Sequence, residues 1–424
     1  MSDPRDVVII DGARTPFAKS GTKLKNVHAA ELGRVATKDT IARANLDPNI
    51  VDEVIVGNAG NPSDAVNIAR IIALNSGLPQ SISAFTVHRN CASAMEAVSS
   101  AYERIKSGTL DVILAGGTES MSQMPLMFSQ KFADLFGEFL GAKTLPKKLK
   151  VLSKLKLNYL TPRISIMEGL RDPFSGMMMG DTAEILAKEF GISRKDQDEF
   201  ALESHLRALT AIKEGWFNNE ICPITVTHRH PNLHSSEVKI TRQKITTDEG
   251  PRKDTSLKKL LALPPVFARE GSVSAGNSSQ ISDGAAMAVV ASGAAVKKYG
   301  LKPLARFCGF SVAGVDPKIM GVGPVYAVPK VLKQTGIHLK DIGWIELNEA
   351  FAVQALTVMH QLKLDPQIVN PVGGAIALGH PLGATGAILT AKCLYGLQRT
   401  RQKYGLVTMC IGTGMGAAAL FQAY

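Results

Sequence analysis

AFTVHRNCASAMEAVSSAYERIKSGTLDVILAGG, residues 84–117, reads as strand, helix, strand. Residues 84–88 form the first strand. Asn90-Cys91 opens a helix that runs to Ile105, and Lys106-Ser107-Gly108 supplies its stop signal. Residues 111–115 (Asp-Val-Ile-Leu-Ala) are a buried strand ended by Gly116-Gly117. The alternation continues toward the start of the chain, with strands at 6–10 and 53–57 and helices at about 29–44 and 65–75. Strands alternating with helices predict a layered α/β domain.

The end of the chain repeats this grammar. Trp344-Ile345-Glu346-Leu347-Asn348 answers to Val54-Ile55-Val56-Gly57, and Leu406-Val407-Thr408-Met409-Cys410, followed by Gly412, Gly414 and Gly416, answers to Val112–Ala115. The expected division is an N-terminal half at 1–123, completed by about 271–290, and a C-terminal half at 291–424. Between them lies an inserted loop domain at 124–270, rich in Lys, Pro and Met. It holds one clear helix at about 181–214 and a polar stretch at 228–256.

With 424 residues, 45% of them hydrophobic, the chain is too long for one ordinary core. No run of eighteen apolar residues occurs, and Met1-Ser2-Asp3-Pro4-Arg5-Asp6 resembles neither a signal nor a transit peptide, so a cytoplasmic protein is expected. The five cysteines are scattered without zinc-ligand spacing, so no metal site and no disulfide framework are expected. The net charge of +11 comes without aromatic interleaving or a nucleic-acid motif. It suits a phosphate-rich small molecule better than nucleic acid.

Four segments carry chemistry. In Asn90-Cys91-Ala92-Ser93 a cysteine stands at the head of a helix, where free N–H groups and the helix dipole favour a thiolate. In Gly373–Gly386, His380 sits amid glycines that permit close backbone approach, well placed as a general base. In Cys410-Ile411-Gly412-Thr413-Gly414-Met415-Gly416 a second thiol ends a strand, and too few residues follow for a dinucleotide fold. In Asn348-Glu349-Ala350-Phe351-Ala352 a polar Asn is placed to hold a water or an oxyanion.

Together with Asp11–Phe17 and Ala115–Met121, these segments resemble the thiolase family over essentially the whole chain. The resemblance implies a fold of two similar strand–helix halves in a five-layered α-β-α-β-α arrangement. It implies Cys91 as the nucleophile acylated by substrate, His380 as its base, and Cys410 as the acid/base thiol at the α-carbon of acetyl-CoA. Asn348, through a water, and His380 would form one oxyanion site; the N–H groups of Cys91 and Gly412 would form the other. Coenzyme A enters as co-substrate, with no tightly bound cofactor. Ser279 is expected beside its pantetheine, and Arg252 reads either as a contact near the adenine or as a solvated charge.

Two features bear on the kind of thiolase. Met177-Met178-Met179-Gly180 places Met179 against bound acyl-CoA or as flexible core filler. Leu145–Tyr159 sets five lysines (147, 148, 150, 154 and 156) beside Leu149, Leu152 and Leu155. This is a basic amphipathic helix, suited to a membrane surface or to packing on its own domain. Such an insert resembles the β-subunit of the trifunctional β-oxidation complex, implying a hydratase/dehydrogenase α-subunit as partner. Those subunits usually carry His where this chain has Asn348, however, which points to ordinary degradative thiolases. A biosynthetic acetoacetyl-CoA thiolase is the second reading, and a homodimer or tetramer acting on acyl-CoA is implied by either.

Overall fold

The computed structural model describes residues 3–231 and 238–424; the first two residues and part of the expected polar stretch, 232–237, lie outside them. The first half comprises β1 (Val7–Arg14), α1 (Ala29–Arg43), β2 (Glu53–Gly57), α2 (Ile68–Asn75), β3 (Ser83–Val87), α3 (Ser93–Lys106) and β4 (Val112–Ser120). Next come α4 (Gln130–Gly141), α5 (Leu145–Leu152), α6 (Met179–Glu189), α7 (Arg194–Lys213) and the hairpin β5 (Ile224–Pro231)–β6 (Val238–Ile245). The chain then forms β7 (Ser282–Ser292), β8 (Ala305–Gly314), α8 (Gly323–Thr335), β9 (Ile342–Leu347), α9 (Ala352–Leu362), α10 (Thr385–Thr400), β10 (Tyr404–Ile411) and β11 (Met415–Ala423).

The strands order as β3-β2-β4-β7-β1 in one half and β9-β10-β11-β8 in the other. In the first half β2 lies parallel between β3 and β4, and in the second β9 lies parallel beside β10. The halves join where β1 meets β8 at Val8↔Arg306 and Ile9↔Ala305, which makes one continuous sheet.

Alternating side chains build the five layers. Val8, Ile10, Val54 and Val56 face α1 and α2 on one outer side. Val7, Ile9, Ile55 and Ile113 face α3 and α10 in the middle, with Val407 and Met409 of the other half. Leu406, Ala418 and Leu420 face α8 and α9 on the far side. Strands covered on both faces read as unbroken apolar runs for this reason. Each buried Val, Ile or Leu contributes about 1.5–3 kcal/mol. In the middle layer α3 and α10 touch backbone to backbone, since a Cβ at Gly386 would lie 2.3 Å from the Met95 nitrogen.

Four expectations need correction. Helix α3 begins at Ser93, not at Asn90, because Asn90 takes a positive φ of 46° and Cys91 lies in the turn. Gly116-Gly117 do not end their strand. They run through it as packing glycines, and a Cβ on Gly117 would lie 2.2 Å from the Gly383 oxygen. The helix expected at 181–214 is two helices, broken at Gly191 (φ 64°) and restarted by the Ser193/Asp196 capping box. The basic helix stops at Leu152, where Ser153 Oγ donates back to the Lys150 carbonyl, so Leu155 lies beyond it.

Candidate active site

The chain turns sharply between β3 and α3. Ser93 Oγ accepts from the Arg89 N–H at 2.9 Å and donates to the Asn90 carbonyl at 2.7 Å. Asn90 Nδ2 then donates to the Gly412 carbonyl at 3.0 Å, clamping this turn to the one after β10. Cys91, at the apex, is partly exposed to a cavity of about 370 Å³. Burial pushes its thiol up to about 11, against the N–H groups of Gly412 and of Cys91 itself, which pull it down. The helix head alone therefore does not yield a resting thiolate; the thiol needs a base.

His380 lies in the loop before α10, and its N–H donates to the Gln280 carbonyl at 3.0 Å. Gly379 precedes it at φ 117°, where a Cβ would lie 2.2 Å from Ser282 Oγ. His380 Nδ1 contacts Thr385 Oγ1 at 2.7 Å, and that hydroxyl donates to the Pro381 carbonyl at 3.0 Å. With its one hydrogen so used, Thr385 accepts Nδ1–H, which leaves Nε2 as the basic nitrogen. Asn348 Nδ2 stands 3.4 Å from Nε2, and Asn348 Oδ1 is buried without a hydrogen-bond partner among the described residues. Burial pushes the imidazole down to about 4, so it is neutral at physiological pH.

Cys410 ends β10 among Val273, Val353 and Met320, fully buried. Burial raises its thiol, and the neighbouring Cys91 raises it further. Gly414, at φ 82°, makes the turn, and Gly416 lets β11 pass against Gly323.

Three adjoining cavities distribute the expected site residues. Cys91, Met179 and Gly412 line the first. His380, Ser279 and Met179 line a second of about 150 Å³, which shares Leu170, Met179 and Leu382 with the first. Arg252 lies exposed on a third of about 320 Å³, with Lys259 and His205, and this one shares Gln280 with the second. Asn348 and Cys410 stand behind this lining.

Residues without an expected role hold these parts in place. Arg14 is fully buried and grips Asp248 through both terminal nitrogens (2.8 and 2.9 Å) and Glu220 through Nε (2.7 Å). It thereby anchors the segment that carries Arg252. Glu349 accepts from Ser204 Oγ, Asn370 Nδ2 and the Ile376 N–H, tying the residue after Asn348 to the glycine-rich loop. Glu119 accepts four N–H groups from two loops. Arg14, Glu119 and Glu349 each lie in a short motif that hinted at importance but not at these partners, which are remote in sequence.

The chain matches the family descriptions "Thiolase, N-terminal domain" over residues 7–294 and "Thiolase, C-terminal domain" over 301–423. It is 41% identical to the 3-ketoacyl-CoA thiolase of Bacillus subtilis, over 99% of each chain. Its structure resembles the Bacillus anthracis acetyl-CoA acetyltransferase (TM-score 0.89, 38% identity, 99% of each chain). It also resembles human mitochondrial 3-ketoacyl-CoA thiolase in complex with CoA (TM-score 0.87, 37% identity, 99% of this chain and 98% of that one).

Proposed function

The chain belongs to the thiolase family of acyltransferases acting on acyl-CoA, and from that premise we propose a 3-ketoacyl-CoA thiolase of fatty-acid β-oxidation. It cleaves 3-ketoacyl-CoA with CoA, giving acetyl-CoA and an acyl-CoA two carbons shorter. The observation that carries this reading is Cys91 beneath the N–H groups of Gly412 and of itself, in a cavity adjoining that of the neutral His380.

His380 Nε2 takes the Cys91 proton, and the thiolate attacks the 3-keto carbon. The N–H groups of Cys91 and Gly412 receive the negative charge on that oxygen. The bond between C2 and C3 breaks, leaving Cys91 acylated and the acetyl-CoA enolate at His380 and Asn348. Cys410 gives the enolate carbon its proton. The Cys410 thiolate so formed takes the proton of a second CoA thiol, which attacks the acyl-Cys91 thioester and releases the shortened acyl-CoA, while the departing Cys91 recovers its proton from His380. Ser279 supports the pantetheine between the second and third cavities, and Arg252 with Lys259 meets the phosphates. Met179 borders the acyl group. In this reading residues 124–270 are the inserted unit that brings Met179 and Arg252 to the two thiolase halves.

Thiolysis of 3-ketoacyl-CoAs from four to sixteen carbons tests the proposal. Rising kcat/KM beyond four carbons supports it; activity confined to acetoacetyl-CoA would instead favour a biosynthetic acetoacetyl-CoA thiolase, and the B. anthracis structure is named an acetyl-CoA acetyltransferase.

Helix α5 adds a surface role. No residue of it is buried, and Leu145, Leu149 and Leu152 are exposed among Lys147, Lys148 and Lys150. Positive charge around apolar side chains complements an anionic lipid surface, and that is the occupant assigned to it here. Among the described residues no helix is long and apolar enough to cross a membrane.

A further inference from the structure

Glu119 sits at the end of β4, fully buried, with no ion pair among the described residues. Its Oε1 accepts from the Gly60 N–H at 3.0 Å and from Asn58 Nδ2 at 3.1 Å. Its Oε2 accepts from the N–H groups of Ala59 and Gly383, both at 2.9 Å. All four partners are donors. One carboxylate thus joins the turn after β2 to the loop that follows His380. The fit is close, because a Cβ on Gly60 or Gly383 would lie 2.6 or 2.7 Å from a Glu119 oxygen.

Both joined segments belong to the site. Ala59 and Gly60 line the Cys91 cavity, and Leu382 lines it together with the His380 cavity. Gly383 stands between Pro381, whose carbonyl accepts the Thr385 hydroxyl, and Thr385 itself, which holds His380. We propose that Glu119 is a positioning residue for the reaction: its ionised carboxylate holds Gly383, and so sets His380 toward Cys91. This rests on the reading of Cys91 and His380 as nucleophile and base.

Protonation breaks the arrangement, since a carboxyl O–H facing four donors finds no acceptor. Burial pushes Glu119 up to about 7, while His380 is pushed to about 4 and Cys91 to about 11, so Glu119 is the member of the three that titrates near neutrality. The titratable groups facing it are Cys91 on one side, and His28 and Asp64 across a cavity on the other.

The test is the pH profile of kcat/KM for thiolysis. The wild type should show an acid limb near pH 7 with the small ionisation enthalpy of a carboxyl group. Glu119→Gln should lose the limb and about 10- to 100-fold in kcat, with KM for CoA within about twofold, as expected of a misplaced base. Glu119→Asp should keep an acid limb at reduced kcat. A Gln variant with the same limb, or with wild-type kcat, overturns the proposal. A wild-type limb with the larger enthalpy of an imidazole would assign it to a histidine rather than to Glu119 and also overturns it, and that measurement stands even if the Gln variant does not fold. Mass-spectrometric acylation of Cys91 in the variants keeps this failure distinct from failure of the nucleophile assignment.

Discussion

Thr385→Val exchanges a hydroxyl for a methyl group of similar shape at a position only 2% exposed. Packing is preserved, but His380 Nδ1–H loses the acceptor that now stands at 2.7 Å. A buried donor left without a partner costs about 1–3 kcal/mol. The ring can escape that cost by moving its proton to Nε2, the nitrogen near Asn348, where it can no longer act as the proposed base for Cys91. Either way the reactive tautomer is disfavoured by a similar amount, which corresponds to roughly 5- to 150-fold in rate. Steady-state thiolysis should therefore show kcat lowered within that range, with KM for CoA little changed. Alkylation of Cys91 by iodoacetamide, which needs the same base, should slow in parallel. Thr385→Ser keeps the hydroxyl and should stay within about threefold of wild type. Wild-type kcat in the Val variant, with thermal stability lowered, would show that the hydroxyl only supports the fold and that the tautomer argument is wrong.

Cys91→Ser should abolish thiolysis, and wild-type enzyme mixed with substrate should carry an acyl adduct on Cys91 alone; an adduct on Cys410 would reverse the two thiols. His380→Ala and Cys410→Ala should each lose at least ~10²–10⁴ in kcat with weaker effects on CoA affinity, and near-normal turnover in either would refute its role. Replacing Lys147, Lys148, Lys150, Lys154 and Lys156 with Gln should sharply reduce co-sedimentation with anionic vesicles and leave soluble activity on short substrates unchanged. Each lysine near such a surface contributes about 1 kcal/mol. Absence of vesicle binding by the wild type at low salt would refute the membrane role and leave a protein partner for α5.

The sequence alone was enough for the alternation of strands and helices and for naming the candidate site residues. Both are local properties: Val7–Ile10 is apolar throughout, and Leu406–Met409 is apolar but for Thr408, because helices cover both sheet faces. Cys91, His380 and Cys410 announce themselves through the glycines and small residues beside them. Tertiary structure alone decided what those residues meet. Asn90 reaches Gly412 across 322 positions, and Glu119 reaches Gly383 across 264. No periodicity records such pairings. The meaning of Gly116-Gly117 changed for the same reason, because a glycine that ends a strand and one that admits a neighbouring backbone look alike in one dimension. The protonation states also depended on the fold. A helix head favours a thiolate, but burial outweighs it at Cys91 and keeps His380 neutral. Desolvation is a property of the surrounding atoms, and nearly all of those come from distant parts of the chain.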